Sequence, residues 1–127
     1  MTRALIFVVM LSFIAGCFRT GPKEGGLYYT KGEKGDFSVL KILKVDDKGV
    51  HVRLYSNRYS SPPKKLEESS LYMAGMNRKP GEELGMGHLP LSKASFAGWK
   101  ATYFQQSSVS EAELDGYRIW QEGGGYF

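Results

Sequence analysis

Residues 37–57, FSVLKILKVDDKGVHVRLYSN, contain two runs rich in β-forming residues on either side of a polar turn. The pattern predicts a β-hairpin with one strand over 37–45, a turn over 46–49 and a return strand over 50–57. Gly49 can take the positive φ that a tight turn requires. Apolar residues stand at both parities of the first strand, which predicts a strand that is covered on both faces or strongly bent.

The return strand alternates strictly, so its two faces carry different chemistry. Val50, Val52 and Leu54 form an apolar face, whereas the opposite face carries polar and aromatic side chains. That opposite face is either a sheet face that is exposed or partly covered by a C-terminal helix, or a patch that binds a ligand or partner. The candidate binding surface consists of His51, Arg53, Tyr55, Tyr59 and His88.

Weaker signals surround the hairpin. Residues 27–30 are a predicted strand because they are rich in β-formers. Residues 88–92 are predicted as an edge strand and residues 101–105 as a further strand. A weak pattern indicates a short helix over 64–73. Glycine and proline mark residues 76–87 as a loop.

A helix is predicted after these strands. Ser110 and Glu113 have the spacing of a capping box, and Leu114, Tyr117 and Trp120 form an apolar stripe at helical spacing. The elements together predict a mainly β, or α+β, fold: a small bent antiparallel sheet with one packed C-terminal helix. The number of elements and the bent hairpin favour, by analogy, a five-stranded SH3-like barrel.

The first residues of the chain have the anatomy of an export signal. Arg3 supplies a positive start, and Ser12 is the only polar side chain in the thirteen residues from 4 to 16. A helix of that length rises about 20 Å, which is short of the roughly 30 Å core of a bilayer. A secretory signal therefore explains the segment better than a membrane span does.

Ile14-Ala15-Gly16-Cys17 resembles the lipobox of bacterial lipoproteins, in which an aliphatic residue and two small residues precede a cysteine. The resemblance implies that the Cys17 sulfur receives a diacylglycerol and that the signal peptide is then cleaved before it. Lipoproteins kept at the inner membrane often carry Asp after the cysteine. Because Phe18 stands there, the resemblance implies an outer-membrane protein facing the periplasm. The alternatives are an ordinary signal peptide with an incidental cysteine, or a buried core segment.

The expected organisation is a lipoprotein signal peptide over 1–16, a flexible tether over 17–26 and a single small β-rich domain over 27–127. The tether is polar and rich in glycine, which is typical of a flexible linker. Cys17 is the only cysteine of the chain, so no disulfide is expected and the core has to stabilise the domain unaided.

The chain is basic, with 17 Lys and Arg, 13 Asp and Glu, and a net charge of +4. The excess lies in residues 17–65, which hold eleven basic and five acidic residues. This is either a solvated surface that is neutralised on folding or a basic face directed at anionic lipid or polymer. Membrane lipid, through acylated Cys17, is the expected partner, together with an envelope protein or cell-wall polymer. An exported anchor disfavours nucleic acid.

The sequence carries no recognisable motif for catalysis or cofactor binding. It has neither a G-x-S-x-G elbow nor a phosphate-binding glycine loop, and His51 and His88 lack the spacing of metal ligands. We therefore expect no enzyme, metal or cofactor and favour a non-catalytic binding or structural module. The alternative is a lipid-anchored inhibitor, of the immunity type, of a periplasmic toxin or enzyme. A hydrolase using Glu82 or Glu83 is the least favoured hypothesis.

Overall fold

A computed structural model of the protein describes residues 21–127. The predicted signal peptide, Cys17 and the first part of the tether lie outside the described residues. The elements, in chain order, are β1 (Gly26–Lys31), β2 (Phe37–Val45), β3 (Gly49–Tyr59), β4 (Met86–Ser92), α1 (Lys93–Gly98), β5 (Thr102–Gln106) and α2 (Asp115–Glu122). In this part of the chain, no helix has the length and apolar character needed to cross a bilayer.

The five strands form one antiparallel sheet in the order β4-β3-β2-β1-β5. β4 and β5 are its two edges, and no ladder joins them within residues 21–127, so the sheet is open. The predicted mainly β fold, with a small antiparallel sheet and a C-terminal helix, is confirmed. The number of strands matches the SH3-like analogy, whereas the two open edges leave the sheet short of a closed barrel.

The predicted hairpin forms the centre of the sheet. The Asp46 side chain closes its turn, because Oδ1 accepts hydrogen bonds from the backbone N–H groups of Lys48 and Gly49, both at 3.0 Å. Contrary to the prediction, Gly49 does not have a positive φ. A side chain at this position would instead collide with the carbonyl oxygen of Leu91 on β4. The glycine is therefore needed for the close approach of two strands.

The sheet buries side chains on both faces, as the two parities of β2 predict. The cluster on the face that α1 covers consists of Tyr28, Leu40, Ile42, Val50, Val52 and Phe96. The cluster on the opposite face consists of Leu27, Val39 and Tyr55. The pairing of β2 with β3 shifts register between Ser38 and Leu40 and again between Ile42 and Lys44. Such irregularities increase the local bend and twist of a strand.

The C-terminal helix begins with the predicted capping box. Ser110 N–H donates to Glu113 Oε1 at 2.8 Å, and Glu113 N–H donates to Ser110 Oγ at 3.3 Å. The box opens a 3-10 turn, Ala112–Leu114, that leads directly into α2. Tyr117 is buried and Trp120 is half-buried. The predicted apolar stripe therefore packs on the sheet.

Two segments differ from the sequence prediction. The helix expected over 64–73 is only a 3-10 turn, Glu68–Ser70, and α1 follows β4 where no helix was predicted. The Ser92 side chain caps α1 by accepting a hydrogen bond from Ser95 N–H at 3.0 Å. A helix of six residues that buries only Phe96 has too few apolar positions to show a helical period.

The last part of the predicted tether belongs to the folded domain. Lys23 N–H donates to the Tyr28 hydroxyl at 2.9 Å, and Gly25 N–H donates to the Ile42 carbonyl at 2.7 Å. Gly25 is buried with a φ of 82°, a conformation that glycine adopts without strain. Residues 23–26 therefore belong to the folded domain.

Candidate functional site

The predicted binding surface on the polar face of β3 is largely interior. His51 and Tyr55 have exposed fractions of 0% and 8%, and Arg53, Tyr59 and His88 are partly buried. α2 covers the His51 end of the face, while Tyr59 packs against the second core cluster. Of the two alternatives for this face, the structure shows the one in which the C-terminal helix covers it. His51 and Tyr55 therefore form no exposed patch.

The structure brings the two histidines together. His51 Nδ1 lies 3.0 Å from His88 Nε2, and the two rings stack with their centroids 5.2 Å apart. Tyr117 and Trp120 of α2 contact the His51 ring edge to face, at centroid distances of 4.6 and 4.5 Å. A hydrogen bond needs one donor and one acceptor. When both rings are neutral, one of the two facing nitrogens therefore carries a hydrogen and the other accepts it.

Asp46 connects this histidine pair to the hairpin turn and to α2. Its Oδ2 accepts a hydrogen bond from the Tyr117 hydroxyl at 3.0 Å and lies 3.3 Å from His51 Nε2. Burial raises the pKa of Asp46, but hydrogen bonds from Gly49 N–H, the Tyr117 hydroxyl and Lys48 N–H outweigh it and leave the pKa lowered. The carboxylate is therefore ionised beside the imidazole at neutral pH.

Both imidazoles have pKa values below the ordinary value for histidine. Burial lowers the pKa of His51, and the neighbouring Asp46 carboxylate raises it by less. Burial also lowers the pKa of His88, and the charge on His51 lowers it further. His51 Nε2 has no hydrogen-bond partner in the described part of the chain, since its contact with Asp46 lacks hydrogen-bond geometry.

A buried ion network, which the sequence prediction missed, lies on the same face of the sheet. Lys41 is 1% exposed, and its Nζ contacts Glu68 Oε2 at 2.7 Å and Glu113 Oε2 at 2.9 Å. Arg53 Nη1 lies 3.4 Å from the same Glu113 oxygen. Burial raises the pKa of Glu113, but hydrogen bonds from Ser110 N–H and Lys41 outweigh it and lower the pKa overall. The only sequence signal was a lysine inside an apolar strand.

These polar groups contact one another inside the protein and hold the C-terminal helix on the sheet. A general acid or base has to reach a substrate atom within hydrogen-bond distance, whereas His51 and Lys41 are enclosed by their partners. The arrangement fastens α2 to the sheet. Within residues 21–127, no group of three or more His, Cys, Asp or Glu side chains is placed to hold a metal ion.

An exposed apolar surface, which we call the methionine loop, lies on residues 72–86, which lead into β4 and include its first residue. A bridge between Ala74 and Leu84 closes the loop, and the Tyr72 hydroxyl braces it by donating to Glu82 Oε2 at 2.7 Å. Its exposed apolar side chains are Tyr72, Met73, Met76, Leu84 and Met86. The sequence prediction described most of this segment only as a loop, although three methionines among glycines and a proline were a signal. Compact loops packed by their own side chains are frequently functional.

A groove of about 350 Å³ lies beside the methionine loop. Leu84 and Glu83 of the loop line it together with Trp99 and with Tyr55 of the predicted candidate surface. The groove therefore lies between Tyr55 of the predicted binding surface and the methionine loop.

Comparisons with known protein families, with curated proteins and with solved structures give no significant match to this chain. Its function is therefore inferred from its own residues and geometry.

Gly116 sets the distance between α2 and β4. A Cβ at this position would lie 2.6 Å from His88 Cβ. We expect Gly116→Ala to lower the free energy of unfolding by about 1–3 kcal/mol in urea denaturation, because overpacking outweighs the gain in helix propensity. Gly98→Ala is the control, since nothing lies within 4 Å of a Cβ there. An equal loss in both variants would contradict the packing role of Gly116.

Proposed function

We propose that this protein is a bacterial lipoprotein anchored through acylated Cys17, and that its domain is a non-catalytic binding module facing the periplasm from the outer membrane. The proposal rests on one observation, the sequence Ile14-Ala15-Gly16-Cys17 at the end of an apolar leader. One acyl chain binds a membrane only marginally, so a stable anchor needs the two or three chains that lipoproteins carry at this cysteine.

The fold supports a domain held close to the membrane. Gly21 stands four residues after Cys17, and an extended chain spans at most about 3.6 Å per residue. Gly21 therefore lies within about 14 Å of Cys17. From Lys23 onward, backbone hydrogen bonds fix the chain on the sheet. The end of the domain near Gly21 accordingly faces the bilayer.

The methionine loop supports a binding role at the opposite end of the domain. The tether lies near the start of β3, because Pro22 lines a groove with Val50. The methionine loop lies near the end of β3, because Ser56 N–H donates to the Tyr72 carbonyl at 2.8 Å. The six residue steps from Val50 to Ser56 correspond to about 20 Å of strand. Exposed methionines adapt to varied apolar surfaces. We therefore infer that the partner is an envelope protein, ahead of a cell-wall polymer.

Replacing the lipobox cysteine tests the anchor. We expect Cys17→Ser to abolish incorporation of labelled palmitate and to accumulate the uncleaved precursor, because in lipoproteins acylation of the sulfur precedes cleavage. Metabolic labelling and membrane fractionation measure both effects. Ser12→Ala, a small change within the same apolar segment, is the control and should leave processing normal. Unchanged processing and fractionation of Cys17→Ser would refute lipidation.

A photo-crosslinking residue at position 76 tests the binding role. Met76 is 86% exposed, and we expect the probe to form one discrete protein adduct in intact cells, which mass spectrometry identifies. The control is the same probe at Glu111, whose side chain is 85% exposed outside the loop. A toxin or hydrolase in the adduct would favour the inhibitor alternative. No adduct, or the same adduct from both positions, would argue against the methionine loop as the binding surface.

A further inference from the structure

Residues 123–127 are held in place and yet expose two aromatic rings. Gly125 N–H donates to the Trp120 carbonyl at 2.9 Å, and Trp120 Nε1 donates to the Tyr126 carbonyl at 2.6 Å. Gly125 has a φ of 68°, which turns the chain back toward α2. Tyr126 and Phe127 are nevertheless 79% and 61% exposed. This segment presents apolar rings to the outside from a fixed backbone.

These rings lie at the hairpin-turn end of the sheet. The Trp120 and Phe127 ring centroids are 5.6 Å apart, and a Cβ on Gly49 would lie 3.0 Å from Phe127 Cζ. Ile119, in the same turn of α2 as Trp120, is 69% exposed. Three large apolar side chains are therefore exposed on α2 and on the segment that follows it.

The tether reaches the domain at this same end. Pro22 lines a groove with Val50 and Lys93, and Val50 follows Gly49, the residue that Phe127 approaches. Since no more than about 14 Å of chain separates Cys17 from Gly21, the covalent chain brings this end of the domain beside the bilayer. The aromatic rings are thus exposed where the membrane is closest.

We propose that Tyr126 and Phe127 form a membrane-contact surface that inserts into the interfacial layer of the bilayer holding the acyl chains. The proposal rests on the lipidation of Cys17. Aromatic side chains such as tyrosine concentrate at the membrane interface, where the ring is in an apolar setting and the polar atom remains hydrated. Because the backbone of residues 123–127 is already fixed, the contact orders little additional chain. The same contact directs the methionine loop away from the membrane.

Charge does not account for the contact, because basic and acidic side chains are mixed around it. Those on the segments at this end are Lys23, Lys44, Lys48, Lys93, Glu24, Asp46, Asp47 and Glu122. With four of each sign, no net attraction to anionic lipid results. We therefore expect contact with a phosphatidylcholine bilayer to persist in high salt, since salt screens charges and leaves apolar burial intact.

The test uses the mature acylated protein reconstituted into phosphatidylcholine vesicles, with a nitroxide spin label on Tyr126→Cys. Acylated Cys17 does not react with the label, so the introduced thiol is its target. Met76→Cys is the matched control at an 86% exposed residue of the methionine loop. We expect the collision rate with oxygen, relative to a water-soluble nickel chelate, to be severalfold higher at 126 than at 76 in low and high salt.

Equal collision ratios at the two positions would overturn the membrane contact. So would a label at 126 that is shielded from both reagents, because that result indicates a contact with protein. Intact-protein mass spectrometry of the same sample shows independently whether Cys17 carries acyl chains. An acylated protein with a water-exposed label at 126 would therefore overturn the contact surface and leave the proposed anchor standing.

Discussion

Replacing Glu113 with alanine is expected to lower the free energy of unfolding by about 2–3 kcal/mol, the usual cost of losing a charge-assisted hydrogen bond to a buried lysine. The Glu113 carboxylate contacts Lys41 Nζ at 2.9 Å and Arg53 Nη1 at 3.4 Å, and it accepts a hydrogen bond from Ser110 N–H at 2.8 Å. Without it, the buried lysine keeps only Glu68 as an ionic partner among the described residues. The substitution also removes half of the capping box.

Urea denaturation at neutral pH, followed by tryptophan fluorescence, measures this loss. Ser110→Ala is the matched control: it removes the Oγ that accepts from Glu113 N–H but leaves the carboxylate on Lys41, and it should cost about 1 kcal/mol. Adding Lys41→Met to Glu113→Ala should recover part of the loss, because an apolar side chain needs no ionic partner. If Glu113→Ala costs no more than Ser110→Ala, the ion network does not stabilise the domain.

The hairpin and the capping box could be predicted because their signals are local. Alternation along 50–57 and the turn residues at 46–49 define a pair of strands without reference to the rest of the chain. Ser110 and Glu113 stand three residues apart and recognise each other within one turn. Gly49 shows the limit of this reasoning, since its requirement for glycine comes from β4, which lies far along the chain.

The interior polar groups could not be predicted because their partners are distant in sequence. The alternation along β3 places His51 on the face of the sheet opposite to that of Val50. It does not reveal that a helix beginning at Asp115 covers the His51 face. His88 stands 37 residues from His51. The carboxylates that pair with Lys41 stand 27 and 72 residues away. Only the folded sheet brings such residues together. The local sequence pattern therefore shows that Lys41 stands in an apolar strand, but it does not identify the carboxylates that pair with it.

The stability of the domain is expected to fall as the pH drops below about 6.5, the ordinary pKa of histidine. The pKa values of His51 and His88 are lower in the folded protein than in the unfolded chain. The unfolded chain therefore binds more protons in this range, and stability rises with pH. The contribution of the two neutral histidines to stability is fully present above about pH 6.5. It is lost as the pH falls through their lowered pKa values in the folded protein. Each extra proton bound by the unfolded chain changes stability by about 1.4 kcal/mol per pH unit.

The contact between the two histidines gives this pH dependence its structural cause. Protonation of both rings places a hydrogen on each of two nitrogens that lie 3.0 Å apart, so the hydrogen bond is replaced by repulsion between like charges. Asp46, 3.3 Å from His51 Nε2, favours the charged form of that ring and offsets part of the effect. Because the rings of Tyr117 and Trp120 pack on His51, the loss should loosen α2 before the sheet itself unfolds.

Urea denaturation between about pH 7 and pH 5 measures the effect, since the Asp46 and Glu113 carboxylates, with lowered pKa values, stay ionised across that range. His88→Gln keeps a hydrogen-bonding side chain beside His51 but cannot titrate, so we expect it to remove roughly half of the pH dependence. Hydrogen exchange at the two pH values locates the loosening, because the amides of α2 should lose protection earlier than those of β2. An unchanged slope in His88→Gln would show that the histidine pair is not the titrating element. Equal protection changes in α2 and β2 would show that the pair acts on the whole domain rather than on the helix it contacts.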